Sequence, residues 1–192
     1  GSDFISTPTA TSVTASTEIA QSDFKYDAAG DVIGGVNYSL PLSVYFTLGQ
    51  LSKNSVVASS KIATGGNLGN TQKQIIDKLK TLAVHTLDPI KTQYPDMIVT
   101  NAYRGKSGTS QHNIGEAADI QFSGLSKSEY FARAQWIREN IPHDKLILEY
   151  KNTGSGLPWI HISCKDSGNA ATILTMYNHK NYKDTGKFYQ LA

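Results

Sequence analysis

A histidine and an aspartate in the second half of the chain are spaced in a way that could bind a metal ion. His112 and Asp119 lie seven positions apart, and the segment between them is typical of a turn that enters a strand. Gly115 permits the positive φ that lets such a turn double back, and the small Ala117 lets the chain pass close to a metal. A carboxylate at position 119, between residues that face a core, is unusual unless a ligand satisfies it. The spacing alone fits a polar turn with a solvated aspartate equally well.

A predicted hairpin supplies a second histidine and a glutamate. The segments KLILEY (145–150) and LPWIHIS (157–163) flank NTGSG, whose composition is typical of a turn. Centring the hairpin on Ser155 predicts that Glu149 lies opposite His161, and a slip by two residues would keep both on one face. The same register predicts apolar pairs on the opposite face, namely Leu148 with Ile162 and Leu146 with Cys164. A surface Glu–His pair without a ligand is the alternative.

These residues together could form a hydrolytic zinc site. His112, Asp119 and His161 supply two imidazoles and one carboxylate, a donor set that suits one zinc ion with an open fourth position for water. Zinc lowers the pKa of a bound water to about 7, and a nearby carboxylate can accept its proton as the water attacks a carbonyl. Glu149 fits this role of catalytic base.

Arg104 is the candidate for binding substrate. It ends the segment MIVTNAYRG, eight residues before His112, so we expect it at the rim of the same cavity. A guanidinium there can hold a substrate carboxylate through two hydrogen bonds. An exposed loop arginine is the alternative.

Three further residues could ligate a metal but are not assigned to the site. Strand parity predicts that Cys164 is a core thiol. His143 is expected to be solvated in a loop, and the sequence indicates no partner for His179.

The elements that must position these residues indicate an α+β fold. A helix is predicted from Asn70 or Thr71 to about Tyr94, kinked or split at Pro89. A second helix begins at the capping box of Ser126 and Glu129. Strands are predicted at 97–102, 117–122, 145–150 and 157–163, with a last strand in NAATILTMYN. We expect a small central antiparallel sheet with helices on one face and the zinc site on the other.

Composition restricts the classes of partner. The 192 residues carry 18 Lys plus Arg against 16 Asp plus Glu, and this net charge of +2 gives no case for nucleic acid or an anionic membrane as the main partner. One cysteine excludes an internal disulfide framework. No apolar run of about 18 residues predicts membrane insertion. No signal peptide is recognised, and Gly1-Ser2 is interpreted as an expression remnant on a piece of a longer protein.

The Ser/Thr-rich residues 1–22 are predicted to be a linker or tail, because they offer too little apolar surface to offset the entropy of ordering. A short edge strand is the alternative for this segment. Residues 23–192 are predicted to form one domain.

The motif Ser110-x-His112-x-x-Gly115-x-Ala117-x-Asp119 resembles the signature of the zinc D-Ala-D-Ala carboxypeptidase family, whose fold is shared with the hedgehog signalling domain. The resemblance extends over about residues 45–163, in the order found in phage-associated members. Its further segments are YFTLGQLSKN, LDPIK, YRG, DKLILEY and PWIHIS.

The resemblance implies a zinc peptidase that acts on peptidoglycan stem peptides. It implies that His112, Asp119 and His161 are the metal ligands, that Arg104 holds a substrate carboxylate, and that Ser110 hydrogen-bonds the substrate near the metal. It also implies a phage lytic or virion-associated protein acting at the bacterial cell wall, in the periplasm, with the N-terminal segment as a tether to a larger phage protein. A secreted host carboxypeptidase would share this chemistry.

One departure affects the assignment of the base. Many members place the catalytic glutamate three residues before the last histidine, and that position here is Pro158. Glu149 is assigned the role instead. The rival interpretation is a zinc-stabilised binding module without catalysis on the same fold.

Overall fold

The computed structural model describes residues 24–57, 69–105, 108–152 and 156–191. The predicted linker over residues 1–22 lies outside these ranges. In the described part of the chain, the strands form one sheet in the order β1-β2-β4-β3-β5-β6. The strands are β1 Met97–Asn101, β2 Ala117–Phe122, β3 Lys145–Tyr150, β4 Trp159–Ser163, β5 Thr172–Tyr177 and β6 Lys180–Asn181.

The helices begin at the predicted caps. They are α1 Leu48–Ser52, α2 Gln72–Leu82, α3 Asp88–Gln93 and α4 Lys127–Asn140. Thr71 caps α2 and Ser126 caps α4, each through a capping box, as expected. None of the helices described here has the length and apolar character needed to cross a membrane.

Pro89 splits the predicted long helix, as expected. A π-helical turn over Ala83–Leu87 separates α2 from α3, and Pro89 lies in the first turn of α3. Proline has no N–H to donate and is tolerated in a first turn, so the wider turn before it lets the chain continue.

The sheet has one face against the helices and one face that carries the candidate site. Leu146, Leu148 and Ile160 belong to the same buried cluster as Leu79 of α2 and Ile137 of α4. Residues of opposite parity in the same strands point to the other face. The α+β class is therefore confirmed.

The sheet is mixed rather than purely antiparallel, which corrects the prediction. β5 pairs with β3 in parallel, in register from Lys145–Thr172 to Tyr150–Tyr177. The reason is the path of the chain: β4 ends at Ser163 beside Lys145, where β3 begins. Residues 164–171 step past that end of β3, so β5 runs in the direction of β3 on its free edge.

The predicted hairpin register is wrong by two residues. Glu149 pairs with Trp159, and Ile147 pairs with His161. The apolar pairs are Leu148 with Ile160 and Leu146 with Ile162, while Cys164 lies beyond the end of β4. A shift of two preserves the face of each side chain, so Glu149 and His161 stay on one face as diagonal rather than direct neighbours.

Candidate metal centre

His112 lies in a short turn that the sequence shapes at both ends. The 3₁₀ turn Gln111–Ile114 begins at Ser110, whose Oγ accepts the His112 amide at 3.2 Å. It ends at Gly115, whose φ of 83° is left-handed. A Cβ at position 115 would lie 3.0 Å from the carbonyl oxygen of Ile75, so both the turn and the contact with α2 favour glycine.

The segment that follows β1 fixes the imidazole of His112. Its Nδ1 lies 2.8 Å from the Ala102 carbonyl oxygen, which can only accept a hydrogen bond. These partners assign the proton to Nδ1 and leave the lone pair of Nε2 facing the site. The Arg104 amide donates to the His112 carbonyl at 2.8 Å and holds the two segments together.

Three donor atoms from three elements meet on the face of the sheet away from the core. His112 Nε2 lies 3.2 Å from His161 Nδ1 and 3.4 Å from Asp119 Oδ1. His161 Nδ1 lies 3.2 Å from Asp119 Oδ1. The β2–β4 pairing places Asp119 directly opposite His161, so the sheet itself sets this contact.

The separations of the donor atoms fit a tetrahedral ion. Ligands about 2.0–2.1 Å from zinc, at tetrahedral angles, lie about 3.3–3.4 Å from one another. The three atoms therefore have the chemical types and the spacing of three zinc ligands, and a possible metal-binding triad is present in the described part of the chain. The side chains of Asp119 and His161 keep 14% and 12% of their exposure, which leaves an approach from solvent.

The electrostatics of the triad favour a cation. Burial alone would raise the pKa of Asp119, but hydrogen bonds and charges from His112 and His161 outweigh it and hold that pKa well below its usual range. Burial lowers the pKa of His161 more than Asp119 raises it. An ionised carboxylate beside a neutral imidazole is the state in which both bind metal.

Arg104 lies next to the triad, at its rim as expected. Its Nη2 is 3.7 Å from Asp119 Oδ2, the oxygen that does not contact the histidines, and its side chain is 36% exposed. The guanidinium is therefore both anchored and open to a ligand. Nothing in the structure shows what it binds.

Glu149 is buried on the same face, with neighbours that sequence analysis did not identify. Burial and the negative charge of Asp119 raise the pKa of Glu149 to about 7, against a hydrogen bond from the Trp159 side chain. His179 Nδ1 lies 4.0 Å from Glu149 Oε1, and the rings of His179 and Trp159 are 6.1 Å apart. His179 comes from the turn between β5 and β6, whose Asn178 amide donates to the Tyr150 carbonyl at 2.9 Å.

Ser110 has a structural contact rather than a demonstrated one with substrate. Its Oγ caps the turn that carries His112, and its amide donates to Asn113 Oδ1 at 3.1 Å. The expectation that Ser110 binds substrate stays a prediction.

The other two candidates from the sequence lie in the core. Cys164 is a free, buried thiol, as predicted, and burial raises its pKa. His143 is buried, not solvated as expected, because its Nδ1 is held 2.7 Å from the Ile141 carbonyl oxygen.

A polar network supports the turn from behind. Gln111 Nε2 donates to Glu116 Oε1 at 3.3 Å and to Asp144 Oδ2 at 3.0 Å. Lys78 Nζ of α2 pairs with Glu116 Oε2 at 2.9 Å. The network ties the turn before β2 to α2 and to the start of β3, which are the elements that surround the triad.

Comparison with known proteins adds nothing to this geometry. No protein-family model matches the chain, and no curated protein matches its sequence. The resemblance described above therefore stays a prediction, and the site itself must carry the argument for function.

Proposed function

We propose that this protein is a zinc-dependent peptidase that hydrolyses an amide bond in bacterial peptidoglycan stem peptides. The observation that carries the proposal is the triad, in which two imidazole nitrogens and one carboxylate oxygen lie 3.2, 3.2 and 3.4 Å apart. The motif from Ser110 to Asp119 and its resemblance to the zinc carboxypeptidase signature support the substrate class.

His112, Asp119 and His161 would hold one zinc ion. Zinc bound at such a site supplies a Lewis acid for the scissile carbonyl and lowers the pKa of a coordinated water to about 7. His112 is preorganised for this task, since the Ala102 carbonyl already holds the proton on Nδ1.

Glu149 is the proposed catalytic base. It shares the face of His161, and its pKa of about 7 in the metal-free protein means that it exchanges protons near neutral pH. Its diagonal position in the hairpin leaves space between the carboxylate and the triad for a water molecule and the substrate amide. There Glu149 would take a proton from the attacking water and pass it to the leaving amine.

Arg104 is the proposed substrate clamp. Its guanidinium is fixed on one side by Asp119 Oδ2 and half-exposed on the other, so its free N–H groups can bind a substrate carboxylate. The hydroxyl hydrogen of Ser110 remains to donate to the substrate backbone, because its Oγ only accepts in the turn.

The proposed setting is a phage lytic or virion-associated protein that acts at the cell wall, in the periplasm. The support is the order of the segments YFTLGQLSKN to PWIHIS and the Ser/Thr-rich residues 1–22, which could tether the domain to a larger phage protein.

A zinc-stabilised binding module without catalysis is the second candidate. Two observations favour it: Pro158 stands where many related peptidases have the base, and Glu149 pairs with Trp159 instead of His161. The two candidates share the zinc site and differ in whether Glu149 moves a proton.

Digestion of peptidoglycan tests the proposal. Purified walls of several stem-peptide types are incubated with zinc-loaded protein or with chelated protein, and the fragments are analysed by mass spectrometry. We expect new peptide termini that the chelator abolishes and that identify the bond.

The variant Glu149→Gln separates the two candidates. We expect it to retain zinc and to lose turnover by at least about a hundredfold, because a general base contributes about 10²–10⁴. Glu139→Gln, at an exposed position of α4, is the matched control and should cleave normally. Walls left intact by the zinc-loaded protein would support the binding module and refute the peptidase.

A further inference from the structure

An open polar cleft of about 530 Å³ lies beside Arg104. It is lined by Ser52, Lys53, Ser55, Asn101, Tyr103 and Arg104. None of the three metal-binding residues lines it, so the cleft is separate from the triad and shares only the arginine with the site described above.

The backbone connects the cleft directly to the triad. Asn101, at one wall, pairs with Asp119 in the β1–β2 ladder. Arg104, at another wall, reaches Asp119 Oδ2 at 3.7 Å. A peptide with its scissile bond at the triad would therefore extend past Arg104 into the cleft.

The end of α1 forms the opposite wall and is joined firmly to the segment after β1. The Tyr103 amide donates to the Leu51 carbonyl at 2.9 Å. A Cβ at Gly105 would lie 2.6 Å from Ser55 Oγ, so the absence of a side chain at position 105 permits this close contact.

Lys53 is presented to the cleft by an uncommon backbone conformation. It is the C-cap of α1 with a φ of 50°, and Asn54 follows with a φ of 58°. Two successive left-handed residues other than glycine are costly in a loop, and such conformations are concentrated at functional sites.

The charge of the cleft is positive and uncompensated. No carboxylate of the described chain lies within 4.0 Å of Lys53, and Arg104 has Asp119 as its only ion-pair partner in the same ranges. If Asp119 binds zinc, its charge is shared with the metal and Arg104 gains capacity for another anion.

We propose that this cleft binds a free carboxylate on the substrate residue next to the scissile bond, with Lys53 as a specificity-determining residue beside Arg104. The ligand class is thus an acidic peptide, and calling it a substrate rests on the proposed peptidase function. Amidation of that carboxylate would remove the charge that Lys53 recognises.

The test compares two peptides that differ only in this charge. The probes are a blocked tripeptide with a central γ-linked glutamate that keeps a free carboxylate, and its twin in which that group is a carboxamide. Binding to the zinc-loaded full chain carrying Glu149→Gln is followed by NMR, with the amides of Ser55 and Asn101 as reporters.

We expect the carboxylate peptide to bind about tenfold more tightly than its twin, and Lys53→Gln to remove most of this ratio. Lys25→Gln removes the same charge at an exposed position outside the cleft and should leave the ratio unchanged. Equal affinities for the two peptides, or a ratio that survives Lys53→Gln, would overturn the inference.

The two proposals fail in different ways. Tight, Lys53-dependent binding by a protein that leaves peptidoglycan intact would refute the peptidase and retain the acidic-peptide site. Cleavage that is as fast for amidated as for free carboxylates would retain the peptidase and refute this site.

Discussion

His112 shows how one backbone contact can prepare a metal ligand. The Ala102 carbonyl, 2.8 Å from Nδ1, selects the tautomer and orients the ring before any ion arrives. His161 has a different situation, because its Nδ1 faces both His112 Nε2 and Asp119 Oδ1 at 3.2 Å. In the metal-free protein a proton on His161 Nδ1 bridges these two acceptors, and a metal ion must replace it.

Removing a histidine of the triad should abolish stabilisation by zinc. At a zinc concentration one hundred times its Kd, we expect the free energy of unfolding to rise by about 3 kcal/mol in the unmodified protein. His161→Ala should show almost none of this rise, since the cluster loses one of three donors. Urea unfolding with zinc and with chelator measures it. His85→Ala, at an exposed position of the π-helical turn, is the control, and equal zinc responses in both variants would contradict the assignment.

Glu149 should make the stability of the metal-free protein depend on pH. Its pKa is raised from 4.5 to about 7 on folding, so the folded state binds this proton more tightly than the unfolded state does. The free energy of unfolding should therefore fall as pH rises from about 4.5 to 7, by up to about 3 kcal/mol.

Glu149→Gln should remove this fall, because the amide does not titrate. Urea unfolding at pH 5 and pH 8 in the presence of chelator measures the difference between the two proteins. Glu139→Gln should keep the unmodified slope. A Glu149→Gln protein with the same slope would show that another group is responsible.

At the scale of elements, the turn between β1 and β2 places one ligand and leads into the next. Ser110 begins it, Gly115 ends it, and β2 then carries Asp119 to its partner on β4. The ligand positions therefore depend on local turn chemistry on one side and on strand register on the other.

Ser110→Ala should weaken zinc binding as well as the fold. Loss of an N-cap costs about 1 kcal/mol, and here the cap holds the His112 amide. Ser126→Ala removes the corresponding cap from α4, which carries no ligand, and should cost a similar stability without changing zinc affinity. Competition with a fluorescent zinc chelator measures the affinities. Equal zinc affinities in the two variants would contradict the positioning role.

The sequence predicted the faces of the hairpin better than its register. Alternation in KLILEY and WIHIS determines which residues share a face, and that held for Glu149 and His161. Register depends on the turn and on the third strand: Asp119 of β2 pairs with His161, so β4 is aligned from both sides. No local pattern in the hairpin contains that information.

His179 illustrates what could not be predicted. Its place near Glu149 requires β5 to lie along β3, a parallel pairing between segments separated by all of β4. The Asn178-His179 pair, with φ of 49° and 64°, is typical of a tight hairpin turn and could have indicated the turn. It could not have indicated which strand the turn would lie against.

At the scale of the whole molecule, the fold extends beyond the segment that carries the family resemblance. The core cluster runs from Leu42 to Phe188. Thr175 of β5 accepts the Tyr189 amide at 2.9 Å and donates to the Lys187 carbonyl at 3.2 Å, which inserts Phe188 into the core. The C-terminal part of the chain therefore stabilises the sheet that presents the triad.

Phe188→Ala should destabilise the whole domain. The ring is 6% exposed, and truncating a buried phenylalanine costs about 3–5 kcal/mol. Tyr177→Ala, at a residue of β5 that is 39% exposed, should cost less than about 1 kcal/mol. Thermal and urea unfolding of both variants measure the difference. Similar losses would show that the C-terminal segment does not belong to the core.

The most direct test of the account is the structure of the metal site itself. Zinc K-edge X-ray absorption of the zinc-loaded protein, with zinc per chain measured in parallel, reports the number and type of ligands. We expect one zinc per chain with two imidazole nitrogens and carboxylate oxygen at about 2.0–2.2 Å, and loss of one imidazole in His161→Ala. A stoichiometry near zero, or a ligand set unchanged in His161→Ala, would contradict a zinc site at His112, Asp119 and His161.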